Sequence, residues 1–511
     1  MREWLGILVA IILPWSAGSV VVWLLWMRRS REAYGWALIL GYGYIVGILL
    51  TTLGMRLLAV LGLPQSFLTV AAALICLAGI GLWRIYSTFQ KVHPTASGQW
   101  NGYFLSSQQR CSGFFESQQH AASAALHRVP EFYDLPLSES WKSAIWWLLL
   151  AWLVLRLAGI GWEILLSPLY PWDAWSTWAV KARVWFELKQ LVPFVDVASW
   201  LNDSERTAYT LEAWHYPNTV PLIQVWMALG AGTWNESLLN MAWLICAVAL
   251  GLAFYGQARA WGGEPLVSMI FVYLLMSLPL LNVHVVLAGY ADLWIAVVYG
   301  LAAMSFLQWL RTADRRQGWI ALLLALALPL IKLEGAIWLL AFTPALLVSR
   351  TSLRTLLWFG ISGLTLGVIW FRLGGFTLNL PGLDDVIQVT PEEIYLPHFI
   401  HLQLQFAYSG KAFINNLFVI DNWHLLWYLA VFLVIFYSSK ILINKLLLTG
   451  SVLVLTNVFI LFVLFFLTDA SQWAQDSTSI NRIALQVVPT LLFYLLILIM
   501  TPREESVVVK R

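Results

Sequence analysis

Residues 447–467 read LLTGSVLVLTNVFILFVLFFL, twenty-one positions without one Asp, Glu, Lys or Arg. A helix rises ~1.5 Å per residue, so ~20 apolar residues cross the ~30 Å hydrocarbon core of a bilayer. Working outward, the pattern recurs along all 511 residues. The chain is 60% hydrophobic and only 11% charged, against ~25% charged in soluble domains. A water-soluble fold has no interior large enough for that surface, so the solvent is lipid. Soluble enzymes and nucleic-acid binders are excluded on this ground.

Thirteen stretches qualify as spans: 4–26, 36–60, 67–86, 143–163, 238–258, 264–283, 290–308, 318–333, 335–349, 355–373, 423–438, 447–467 and 483–501. The fold class is therefore an all-α polytopic membrane protein of about 13 transmembrane helices. The first apolar run carries no small-residue cleavage site and reads as a retained helix. Cytoplasmic loops carry the excess of Lys and Arg. With the N-terminus outside, 19 of the 30 basic residues fall inside, including Arg28, Arg29, Arg31, Arg311, Arg315, Arg316, Lys510 and Arg511. That predicts a periplasmic N-terminus and a cytoplasmic C-terminus in a bacterial inner membrane, with 164–237 and 374–422 facing outward. Residues 87–142, rich in Ser, Gln, His and Ala, read as a cytoplasmic linker between a three-span leader, 1–86, and a ten-span body. Cys76, Cys111 and Cys246 show neither a disulfide pattern nor metal-ligand spacing. There is no internal repeat and no pair of Gly/Pro-broken spans of the transporter kind.

Chemistry-bearing residues gather on the predicted outer side. Trp172-Asp173-Ala174-Trp175 opens the loop 164–237 and leads into a stretch that includes Lys181. Trp175, Trp178, Ala182 and Trp185 share one helical face, with Arg183 and Glu187 opposite. This reads as an interfacial helix. Asp173 is either its cap or a general base. Trp214-His215-Tyr216-Pro217 returns the chain to the membrane; His215 has no metal-ligand partner at a suitable spacing and reads as a surface residue. Tyr290-Ala291-Asp292 opens the span 290–308, where Asp292 is a cap or an intramembrane acid facing a partner. Lys332-Leu333-Glu334 lies between two apolar runs, paired or snorkelling. Asp476 to Arg482 precedes the last span, and the planar fork of Arg482 suits a phosphate.

In order and spacing these motifs resemble the GT-C superfamily of integral-membrane glycosyltransferases, most of all the bacterial branch of aminoarabinose transferases and protein O-mannosyltransferases. The matching features are an aspartate after the first span of the module (Asp173), a Tyr-Pro-x-x-x-Pro return (Tyr216 to Pro221), Tyr290 to Leu293, Lys332 to Gly335, and Asn481-Arg482. The resemblance covers 143–350; beyond it, topology alone agrees. Three extra spans precede the module, Ala174 stands where a second acid is usual, and Leu333 replaces an Asn.

The resemblance implies a catalytic module at 143–373 with its large periplasmic loop at 164–237, followed by a loop and C-terminal helices at 374–511. It implies a polyprenyl-phosphate-linked sugar as donor and a hydroxyl on a lipid, glycan or protein as acceptor. Asp173 would be the base and Asp292 the second acid. Lys332 and Arg482 would hold the leaving phosphate, and Glu334 would be among the substrate-binding residues. Trp172, Trp175, Tyr216, His215, Tyr290 and Lys181 would shape the substrate pocket. No cofactor and no metal are expected. The rival readings are a flippase for lipid-linked sugar, a surface-polysaccharide polymerase or ligase, and an inactive scaffold.

Overall fold

A computed structural model describes residues 2–26, 34–92, 135–379, 386–397, 400–475 and 479–501. Cys111, most of the linker, the Arg28–Arg31 cluster, Asp476 and the basic tail lie outside the described residues. Among the described residues, sixteen α-helices have eight residues or more. They are α1 Arg2–Trp26, α2 Gly35–Val60, α3 Phe67–Val92, α4 Glu139–Leu166, α5 Val180–Leu188, α6 Thr219–Ala231, α7 Met241–Ala260, α8 Pro265–Met276, α9 Pro279–Val286, α10 Asp292–Thr312, α11 Arg315–Ala327, α12 Gly335–Arg350, α13 Leu353–Arg372, α14 Leu426–Phe436, α15 Lys445–Leu467 and α16 Ser479–Ile499.

Among the described residues, eight helical segments are long and apolar enough to cross a membrane, or nine if the bent pair α8–α9 is one span. The chain is thus a largely helical membrane protein. Several expected spans have a different form. The stretch 264–283 is broken at Ser277–Leu278 and bent by 60°, because Pro279 brings no N–H to continue the helix. The carbonyl of Ser277, left over at the break, accepts from Arg156 at 3.2 Å and faces His424 Nε2 at 3.1 Å. The stretch 318–333 is the 13-residue α11 followed by a 3-10 turn through Pro329, and 423–438 contains only the 11-residue α14. The apolar stretch in the second half of the loop 164–237 forms α6, enclosed along nearly its whole length.

The loop 374–422 is not purely irregular. Gly374 and Gly375, at φ +75° and +86°, turn the chain out of α13. A four-stranded antiparallel meander follows: β3 Phe376–Asn379, β4 Val386–Val389, β5 Glu393–Leu396 and β6 Ile400–Gln403, each strand beside the next. Alternation over four-residue strands is too short to stand out beside twenty-residue apolar runs, so the sequence reading passed over it. In the loop 164–237, β1 Phe194–Val195 and β2 Tyr209–Thr210 form a short parallel pair.

Two helices form the centre. α10 and α16 are enclosed over 89% and 83% of their apolar windows, whereas α4 is enclosed over 17% and turns most of its surface outward. α10 and α16 approach closely because Gly300 faces Pro489; a Cβ there would lie 2.7 Å from the proline ring. The first three helices join the same bundle. The Tyr42 hydroxyl on α2 donates to the Leu301 carbonyl at 3.0 Å, and Gln257 on α7 and Ser305 on α10 bond to it at 2.8 and 2.9 Å. Trp226 on α6 donates to the Ala10 carbonyl at 2.7 Å. Separate in sequence, the leader is continuous with the body in space.

Candidate functional site

Asp292 is the first residue of α10 and is fully buried. Gly289 holds φ +101°, and a Cβ on it would sit 2.7 Å from Ala174 Cβ. Only glycine tolerates both that backbone and that approach. The 289–292 segment therefore lies against the start of the loop 164–237, beside Asp173.

Arg482 projects from the first turn of α16 and joins the two acids. Its Nε and Nη2 donate to Asp292 Oδ2 at 3.1 and 2.9 Å, and its Nη1 donates to Asp173 Oδ2 at 2.7 Å. The guanidinium lies 4.5 Å from the Tyr290 ring centre, within cation–π range. Lys332 emerges after the Leu328–Leu330 turn. Its Nζ donates to Asp292 Oδ1 at 3.0 Å and pairs with Glu334 Oε1 at 3.0 Å. Gln486, one helical turn beyond Arg482, donates to Asp292 Oδ1 at 2.9 Å and accepts from Trp338 at 2.6 Å. Asp292 thus accepts four hydrogen bonds. A carboxylate so deep is tolerated only when paired and bonded in this way.

The alternatives left open by the sequence resolve at the level of contacts. Asp173 makes no side-chain cap; its carboxylate, 37% exposed, is spent on Arg482. Lys332 does not snorkel outward; its side chain is buried between two acids. Glu334 Oε2 is buried without a hydrogen-bond partner among the described residues. Arg56 on α2 bonds to the Thr219 hydroxyl at 2.7 Å and the Leu330 carbonyl at 3.4 Å, so the leader props the turn that aims Lys332.

Tyr216 belongs to the same neighbourhood. Burial pushes its phenol up, and the Glu334 carboxylate adds to that. Its ring meets Trp178 edge-on at 5.2 Å, and exposed His215 stacks on it at 5.2 Å. Trp172 and Trp175 pack edge-to-face at 5.0 Å beside Asp173 and remain largely exposed. The expected amphipathic face is present in part: Trp178, Ala182 and Trp185 are buried and Arg183 and Glu187 are exposed, but Trp175, expected on the same face, is exposed. Its first turn, Ala174–Ala179, is a π-helix. The buried side rests on protein, with α5 against α6.

Lys181 is placed differently from its expected role. Its ammonium is buried and donates to the Trp214 and Tyr216 carbonyls at 2.7 and 2.9 Å. Among the described residues it has no carboxylate partner, and burial pushes it down to about 8. It holds the return segment in place and is not in contact with the acidic cluster.

No family model, curated protein or solved structure matches the chain. The site is therefore read from its own chemistry.

Three carboxylates face two cations, with two acids, Asp173 and Glu334, and one cation, Arg482, partly open. Sequence reasoning passed over Gln486, Trp338 and buried His284, whose ring meets Tyr290 edge-on at 5.7 Å. A glutamine inside the apolar run 483–501, four residues after Arg482, was the available signal. Among the described residues, no group of three or more His, Cys, Asp and Glu is placed to hold a metal ion.

Proposed function

We propose that the chain is a GT-C-like membrane glycosyltransferase. It moves a sugar from a polyprenyl-phosphate donor to an acceptor hydroxyl at the outer face of the bacterial inner membrane. The proposal includes a thirteen-span arrangement with the N-terminus outside and the C-terminus inside.

One observation carries the reading: a partly exposed carboxylate, Asp173, rests on a guanidinium whose other face is fixed by the buried Asp292. Asp292 is saturated, so its role is to position Lys332 and Arg482. Asp173 is exchangeable. A donor phosphate arriving at Arg482 takes its place on Nη1 and releases a carboxylate oxygen. That oxygen accepts the proton of the acceptor hydroxyl as the new sugar–oxygen bond forms. The bond from the anomeric carbon to the phosphate oxygen breaks on the opposite side, and its electron pair leaves with the phosphate. Lys332 and Arg482 face the charge that develops there. Tyr216, Trp172 and Trp175 offer aromatic surface to the sugar and acceptor.

A second reading, a flippase for lipid-linked sugar, draws support from the broken α8–α9 helix, since transporters build sites at such breaks. Among the described residues this is the one bent pair, whereas a transporter built from repeats breaks a matching span in each half.

The test is mass spectrometry of the protein purified with native lipid, followed by a transfer assay on Asp173→Asn. The expected result is a co-purified polyprenyl-phosphate sugar, reduced in Arg482→Ala, with transfer down at least ~100-fold in Asp173→Asn, the usual scale for losing a general base. Full transfer by Asp173→Asn would remove Asp173 from the chemistry, and absence of any such lipid would favour the other readings.

A further inference from the structure

α4 carries two ionisable residues along an otherwise apolar face. Arg156 and Glu163 are seven residues apart, two helical turns or ~10 Å along the axis. Both line one open cavity of about 370 Å³ between α4 and α9, together with Ile160, Tyr170, Asn282 and Val286. Arg156 Nη2 supports the broken-helix carbonyl of Ser277, but its Nε is buried with no partner. Glu163 is exposed on the flank of α4 and has no cationic partner among the described residues. The two do not pair with each other across the cavity. α4 is also the least enclosed of the eight candidate spans, so the groove opens sideways toward lipid.

Unpaired charge at a lipid-facing site is costly and marks a place where something supplies the counter-charge. A purely anionic headgroup meets Arg156 but is repelled by Glu163; a purely cationic one meets the reverse. Depth settles the order. Glu163 lies three residues from the end of α4 at Leu166, and Arg156 lies ten. A headgroup with its phosphate next to the acyl chains and its ammonium farther out matches that order.

We propose that this groove binds a zwitterionic aminophospholipid, its phosphate on Arg156 and Asn282, its ammonium on Glu163, and its chains running past Arg156 on the side away from Glu163. The site does not depend on the transferase reading, because lipid binding is measured directly.

The test is native mass spectrometry of delipidated, folded protein titrated with phosphatidylethanolamine or phosphatidylglycerol of identical chains. Phosphatidylethanolamine should bind more tightly by about fivefold, the scale of one partly desolvated ion pair. Glu163→Gln should abolish that preference while leaving phosphatidylglycerol binding equal or stronger. Arg156→Lys, which keeps the charge near Ser277, should weaken both lipids. Because Glu163 is exposed, its variant tests the site without disturbing the fold. Equal binding of the two lipids by the unaltered protein, a preference for phosphatidylglycerol, or a preference that survives Glu163→Gln would each overturn the proposal.

Discussion

At the scale of single residues, burial sorts the charged side chains into two kinds. Asp292 and Lys332 are enclosed and mutually paired, so they fix geometry. Asp173 and Glu334 keep partial access, so they are the acids able to meet a ligand. Lys181 is a third case, a buried cation bonded only to carbonyls. Its ammonium titrates at about 8 when folded, against 10.5 for an unhindered lysine. Between those values the unfolded chain holds a proton that the folded chain has lost, so stability rises with pH across that window and is lowest, and level, below it. At ~1.4 kcal/mol per unit the full effect is about 3 kcal/mol. Thermal unfolding in detergent should show the unaltered protein gaining stability from about pH 8 to 10.5 relative to Lys181→Met. Parallel curves for the two proteins across that window would mean that the ammonium is not held in this environment.

At the scale of elements, small residues decide where helices meet. A Cβ on Gly47 of α2 would lie 1.8 Å from the Pro14 carbonyl oxygen of α1, and one on Gly18 would lie 2.0 Å from the Gly43 carbonyl. Gly54, two turns along the same α2, has nothing within 4 Å. Close contact through glycine is how helices associate in lipid, where apolar burial alone gives no preference. Gly47→Val should therefore cost at least the ~1–3 kcal/mol typical of overpacking, read as a lower unfolding temperature in detergent, whereas Gly54→Val should change it little. An equal effect of both would remove close packing as the cause. This level also shows what the sequence made legible. Long apolar runs announced α1, α2, α4, α10, α15 and α16 nearly to their ends, because length and hydropathy alone decide a span. The kink at Pro279 and the short α11 and α14 depend on local backbone chemistry inside runs that still read as apolar. The β3–β6 meander depends on pairing between strands too short to carry a period. The Asp173–Arg482 and Lys332–Asp292 partnerships join residues that the pattern of basic residues had put on one predicted side. Gln486 and Trp338 escaped notice because each looks like one more residue of an apolar helix until the neighbouring helix is known.

At the scale of the whole molecule, the charged cluster is gathered from the ends of several helices. Asp173 follows the end of α4, Asp292 begins α10, Lys332 precedes α12 and Arg482 lies in the first turn of α16. Alternating passage through a bilayer places all four on one side only if the helices between them cross in the expected order. The distribution of Lys and Arg is the ground on which that side is proposed to be the exterior. The native cysteines allow a direct check. Cys246 is buried and Cys76 lies on the exposed flank of α3, while Cys111 falls in the stretch predicted to be cytoplasmic. With Cys76 and Cys246 replaced by Ala, a membrane-impermeant maleimide added to cells with a permeabilised outer membrane should leave Cys111 unlabelled until the inner membrane is opened. In the same background with Cys111 also replaced, Ser204→Cys, in the exposed outer loop, should label at once. The reversed pattern would put the Asp173–Asp292–Lys332–Arg482 cluster in the cytoplasm, where a donor would be drawn from the inner leaflet or from solution. The charge network would stand unchanged, but the outer-face transferase reading would fall with the topology that supports it.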